Sequence, residues 1–110
     1  MTTRNLDALF NPRAIALVGA SRRPGTLGAV IARNLFEAGF DGPILTVNPQ
    51  ERAIHSSLSY ASIADLPIPV DLAVVATPPD QVPQAIADLG AKGCRAAVVV
   101  TNGFGAVARA

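Results

Sequence analysis

Four short apolar runs punctuate the chain. Ala14-Ile15-Ala16-Leu17-Val18 ends at Gly19, and Ile44-Leu45-Thr46-Val47 follows Gly42-Pro43. Leu72-Ala73-Val74-Val75-Ala76 follows Asp71, and Ala96-Ala97-Val98-Val99-Val100 follows Arg95. None alternates cleanly between apolar and polar residues. Each therefore reads as a strand buried on both faces, as in a parallel sheet covered above and below by helices. Between the runs the spacing becomes helical. Leu27, Ile31, Leu35 and Ala38 share a face of a helix over 27–38, with Arg33 and Glu37 turned elsewhere and Gly39 placed as its stop. A second helix is predicted over 79–91, with Val82, Ile86 and Leu89 on one face and Gly90 or Gly93 at its end. A short helix near Ser62 to Leu66 is stopped by Pro67 and Pro69. Asn5 is placed to cap one turn through Leu9-Phe10, ahead of Asn11-Pro12.

This alternation predicts an α/β fold, a Rossmann-like doubly wound parallel sheet. Right-handed crossovers set the run 44–47 beside 14–18, then 72–76, then 96–100. The winding reverses between the first and third runs, and ligands of such sheets sit at that switch point, beyond the carboxyl ends of the strands. Four loops meet there: 19–25, 48–50, 77–79 and 101–104. They hold most of the unusual residues of the chain.

In the first loop Gly19 permits a tight turn, Ser21 offers a hydroxyl, and Gly25 and Gly28 let backbone approach closely. The exposed N–H groups of the helix that follows attract phosphate, and Arg22 and Arg23 add guanidinium charge beside them. The plainer alternative is a strand–helix turn with two solvated arginines. A dinucleotide site needs G-x-G-x-x-G and an acidic residue after the second strand. The chain has Gly19-Ala20-Ser21-Arg22-Arg23-Pro24 and Val47-Asn48-Pro49 instead, and no Gly-Lys-Ser/Thr triplet of a P-loop. A phosphate-bearing nucleotide of another kind remains.

Composition narrows the class further. The 110 residues are half hydrophobic and 15% charged, enough apolar material for a packed core. Nine basic against eight acidic side chains leave a net charge of +1. That excludes a broad nucleic-acid footprint and a polybasic membrane anchor. No apolar run approaches the roughly 18 residues of a membrane-spanning helix. Neither does the N-terminus carry a signal-peptide stretch, so a cytoplasmic location is expected. A lone Cys94 excludes an internal disulfide and, with the lone His55, argues against a metal site. His55 reads as a loop residue and Cys94 as a packed thiol. After the fourth run only Thr101 to Ala110 remain, whereas a doubly wound sheet normally continues. Residues 1–110 are therefore expected to be one domain leading a longer protein. The edge of the fourth strand is expected to favour self-association into a homo-oligomer.

Several motifs in register also resemble a known family. They are Leu9-Phe10-Asn11-Pro12-Arg13, Gly19-Ala20-Ser21-Arg22-Arg23-Pro24-Gly25, Asn34-Leu35, Val47-Asn48-Pro49, Asp71-Leu72-Ala73 and Ala76-Thr77-Pro78-Pro79. From about Leu6 to Phe104 the chain resembles the CoA-binding domain of the NDP-forming acyl-CoA synthetases, typified by ADP-forming acetate–CoA ligase and related to the succinyl-CoA synthetase α subunit. The resemblance implies coenzyme A as cofactor. It places Gly19, Ala20, Ser21, Arg22, Arg23, Pro24, Gly25 and Gly28 at the CoA phosphates, and Asn48 and Pro49 beside the nucleotide. Thr77, Pro78 and Pro79, with Thr101, Asn102 and Gly103, form the further contact loops. It implies no catalytic residue here, since the family's phosphorylated His belongs to a following domain. The partners implied are the remaining domains or subunits of a synthetase. Two positions depart from the succinyl-CoA synthetase pattern: Thr101-Asn102-Gly103 stands for Thr-Glu-Gly, and Gln50-Glu51-Arg52 stands where a Lys is usual. Arg52 is the available substitute for that charge. The alternatives are a regulatory CoA-binding module fused to a protein lysine acetyltransferase, and an NADP-binding sensor domain in which Arg22 and Arg23 take the 2′-phosphate.

Overall fold

The computed structural model describes residues 11–21, 25–54 and 57–100. The four apolar runs form β1 (Ile15–Val18), β2 (Ile44–Val47), β5 (Leu72–Val75) and β6 (Ala96–Val99). Two helices, α1 (Leu27–Glu37) and α2 (Val82–Ala91), connect them, and a short hairpin, β3 (Ala53–Ile54) with β4 (Ser57–Tyr60), lies in between. The sheet order is β3-β4-β2-β1-β5-β6. β1 pairs in parallel with both β2 and β5, so Val18 stands level with Val47 on one side and Val75 on the other. β6 extends the sheet in parallel beyond β5. The expected order of the four runs and the reversal of winding at β1 are both present.

The hairpin is the addition. β4 runs parallel to β2, and β3 folds back antiparallel on β4. A search for buried apolar runs misses it, because Ser57-Leu58-Ser59-Tyr60 alternates and leaves Leu58 70% exposed. That is the pattern of a half-buried strand at a sheet margin.

Two apolar layers flank the sheet. On one face Ala16, Val18, Val47, Ala73 and Val75 pack against Ile63, Leu66, Ala85 and Leu89. On the other, Leu17 and Ala20 meet Ala32 of α1 and Ile54 of the hairpin, with Ile31 and Leu35 partly buried around them. The helix faces differ in detail from the expected ones. α2 buries Ala85 and Leu89 in the core layer and leaves Ile86 exposed. α1 likewise buries Gly28 and Ala32, while Ala38 is exposed. The segment after β5 opens with a 3-10 turn (Pro79–Gln81), and the α-helix starts only at Val82, with proline in its first turn. A second 3-10 turn, Ile63–Asp65, fills the place of the expected short helix and stops before Pro67.

The ends of the helices follow the sequence. Thr26 caps α1 by accepting from Ala29 N–H at 3.2 Å. Gly39 and Gly93 follow the helices at φ of 79° and 83°, the left-handed conformation that terminates them. β6 departs from the expectation of burial on both faces: Ala97 and Val98 are exposed, since this strand is paired only with β5 among the described residues. Cys94 is half-buried against the core layer under α2, and burial pushes its thiol above the ordinary value. The packed-thiol reading holds. The expected N-terminal turn capped by Asn5, and His55, lie outside the described residues.

Candidate functional site

The exits of β1, β2 and β5 are locked together by backbone. Gly19 turns the chain out of β1 at φ 91° and donates its N–H to Val47 O at 3.1 Å. A Cβ on Gly19 would lie 2.8 Å from the carbonyl carbon of Ala76 and 3.0 Å from Thr77 N. A Cβ on Gly28 would collide with the carbonyl oxygen of Gly19. The first turn of α1 therefore sits directly on the β1 exit, and no side chain fits between them. Gly28 performs the close approach expected of it. Gly25 does not: a Cβ there meets nothing within 4 Å, and its requirement for glycine comes from a φ of 83°.

The β2 exit is held by Asn48. Its Nδ2 donates to Ala20 O at 2.7 Å, and its Oδ1 accepts from Gln50 N–H at 2.7 Å and Glu51 N–H at 3.2 Å. The backbone N–H of Asn48 donates to Tyr60 O at 2.9 Å. One residue thus binds the β1 loop, its own turn and the end of β4.

Between these exits opens a cavity of about 480 Å³. Gly19, Ala20, Ser21, Asn48, Pro49, Thr77 and Pro78 line it, which brings together the anticipated residues from three separate loops. Thr26, the cap of α1, adjoins it in a smaller recess shared with Ser21, Asn48, Pro49 and Pro78. The start of α1 therefore borders the site through its cap, Thr26. Pro79 and Gly25 are not among the lining residues. Arg52 is exposed and lines a separate shallow depression with Asn48 to Glu51. Arg22, Arg23, Pro24, Thr101, Asn102 and Gly103 lie outside the described residues.

The opposite wall was not anticipated. Ser62 and Ile63 contribute to it, as do Asp80, Gln81, Gln84 and Asp88 from the turn and helix after β5. Gln84 Nε2 donates to Asp88 Oδ1 at 2.8 Å, an i,i+4 pair on one helix face. That spacing was the available signal, since the helix following a switch-point strand necessarily flanks the cleft. The site is electrically lopsided: helix-start N–H groups border one side and two carboxylates the other. Thr77 Oγ1 is buried and makes no hydrogen bond among the described residues. Among those residues no three His, Cys, Asp or Glu side chains converge as metal ligands, and no helix is long and apolar enough to cross a membrane.

A family model described as a CoA-binding domain matches residues 13–109. The chain belongs to this family of CoA-binding domains. Coenzyme A is accordingly the cofactor of the domain class, as the motif resemblance implied. The CoA-binding domain is 38% identical over 105 residues to the α subunit of ADP-forming acetate–CoA ligase I of Pyrococcus furiosus, covering 92% of this chain and 23% of that protein. It is 42% identical over 103 residues to ADP-forming acetate–CoA ligase II of Archaeoglobus fulgidus, covering 94% of this chain and 15% of the relative. Among solved structures it is similar to the apo form of dinucleotide-forming acetyl-coenzyme A synthetase 1 of Ca. Korarchaeum cryptofilum. There the TM-score is 0.86 at 43% identity, over 93% of this chain and 22% of that one. The domain thus spans less than a quarter of the length of these relatives.

Proposed function

We propose that residues 1–110 are the CoA-binding unit of an ADP-forming acyl-CoA synthetase and are not catalytic alone. The CoA phosphates lie against the loop from Gly19 to Gly28, the nucleotide beside the Asn48-Pro49 turn, and the Thr77-Pro78 and Thr101-Asn102-Gly103 loops complete the contact. The observation that carries this reading is the convergence of three loop exits on one cavity at the switch point, with the cap of α1 in the recess adjoining it. CoA brings a pyrophosphate, a ribose 3′-phosphate and a long neutral arm. A glycine turn with helix-start N–H groups and two arginines suits the anionic part. The wall bearing Asp80, Gln84 and Asp88 suits only an uncharged part, because carboxylates there repel phosphate.

Calorimetry with CoA, dephospho-CoA, NAD and NADP tests the assignment. CoA should bind, dephospho-CoA more weakly, and the two dinucleotides not measurably. Charge-assisted phosphate contacts contribute about 1.5–3 kcal/mol each. Replacing Arg22 and Arg23 together by Ala should therefore weaken CoA binding roughly tenfold or more. Binding of NADP with no response to CoA would overturn the reading.

A further inference from the structure

We infer that Asn48 is a positioning residue: it fixes the phosphate-facing loop from behind instead of contacting the cofactor with its carboxamide. The inference rests on the placement of CoA proposed above. In a dinucleotide site the residue at the end of the second strand is an acid that reaches a ribose hydroxyl. Here the half-buried side chain at that position is bonded to the backbone of two loops. A carboxamide has two donor hydrogens and an acceptor oxygen with two lone pairs. Both acceptor directions of Asn48 are filled, by Gln50 N–H and Glu51 N–H, and one donor hydrogen is committed to Ala20 O. The two N–H groups on one side and the carbonyl on the other leave a single sensible orientation of the amide.

The bond to Ala20 is the informative one. Ala20 is wholly buried, and Asn48 Nδ2 is the side-chain donor that meets its carbonyl. The peptide joining Ala20 to Ser21 is planar, and holding its oxygen fixes the direction of the Ser21 N–H in the same plane. Asn48 thereby sets the geometry of the loop on which the anion is proposed to rest. The same side chain ties the β2–β3 turn through Gln50 and Glu51, so the two walls of the recess are held at a fixed separation.

Asn48→Asp separates the two jobs. It keeps an acceptor for the Gln50 and Glu51 amides, but sets an oxygen against Ala20 O where a donor stood. Asn48→Ser, neutral and with a short acceptor of its own, controls for the added charge and replaces the Asp variant should that fail to fold. Two readouts are taken on folded protein below its melting temperature: the Ser21 amide resonance without ligand, and the affinities for CoA and adenosine 3′,5′-bisphosphate. The inference expects both variants to shift the Ser21 amide in the free protein. It also expects both affinities to fall together by about tenfold, because the displaced loop no longer meets the phosphates in charge-assisted hydrogen-bond geometry. Unchanged affinity in a folded variant overturns it, because the brace would then be structural only. An affinity loss with an unmoved Ser21 amide also overturns it, because Asn48 would then be touching the ligand directly. If the unaltered chain binds neither compound, the CoA placement itself fails, and that result is distinct from either.

Discussion

At the scale of single residues, the site is marked by a hydroxyl without a hydrogen-bond partner among the described residues. Thr77 Oγ1 is buried in the wall of the cavity and makes no hydrogen bond among the described residues. A buried polar group left unpaired costs about 1–3 kcal/mol, and a ligand that supplies the missing bond recovers that loss on binding. Thr77→Val keeps the shape and removes the hydroxyl. The domain should melt at the same temperature or higher, while its affinity for CoA falls several-fold. A variant that binds CoA as well as the unaltered chain would show that the hydroxyl does not face the cofactor. Thermal melting followed by calorimetry on the same preparation reads both quantities. Gly19 and Gly28 make the same point in backbone: each lacks a side chain because another loop's carbonyl occupies the space. Residues that cost stability or conformational freedom gather where the loops must meet.

At the scale of elements, the opposite end of the sheet is held by charge. Arg13, just before β1, donates its backbone N–H to Asp71 Oδ2 at 2.9 Å and its Nε to the same oxygen at 3.3 Å. Asp71 stands just before β5, so this pair clamps the starts of two neighbouring strands. The Arg13 backbone N–H, helped by its guanidinium and by the charge of Arg95, holds the Asp71 carboxyl below its ordinary value of 3.8 against a counteracting effect of burial. A carboxyl whose folded-state pKa is depressed stabilises the fold fully above its unfolded value and loses that contribution as pH falls through the folded one. Asp71→Asn should therefore melt lower than the unaltered chain at neutral pH, and the two should converge as pH falls through the depressed folded-state value of Asp71. A gap that persists into acid would assign the effect to packing and not to charge. How far these elements are legible in sequence depends on what fixes them. β1, β2, β5 and β6 announce themselves as Val- and Ile-rich runs, and their order follows from crossover handedness. The β3–β4 hairpin does not, since its pairing depends on lying beside β2 and leaves Leu58 in solvent. That the loops after β1, β2 and β5 line one cavity was readable, because the switch point is a property of topology. Gln84 and Asp88 carried a signal only in their i,i+4 spacing on the helix after β5, and Ser62 carried none, because folding alone brings its turn to the cleft.

At the scale of the molecule, the sheet has unequal margins. One ends in the short hairpin, whose two-residue outer strand offers little to pair with. The other ends in β6, which pairs only with β5 among the described residues and exposes Ala97 and Val98, the latter at 38%. Ile86 of α2 is also exposed, at 40%. An apolar parallel strand with an open row of N–H and C=O groups is a template for another chain. The domain is therefore expected to associate with itself as concentration rises, through the β6 edge and not through the cavity, which lies at the carboxyl ends of the strands. Val98→Lys places a charge on that strand without touching the β1, β2 and β5 exits. Sedimentation should show the unaltered chain drifting to larger species with concentration and the Lys variant remaining monomeric. Calorimetry should give the two the same affinity for CoA. A strict monomer at high concentration in the unaltered chain would mean that the β6 edge is already covered in solution. A CoA affinity that falls along with association in the Lys variant would mean that the edge and the cavity are coupled, against the separation the topology sets between them.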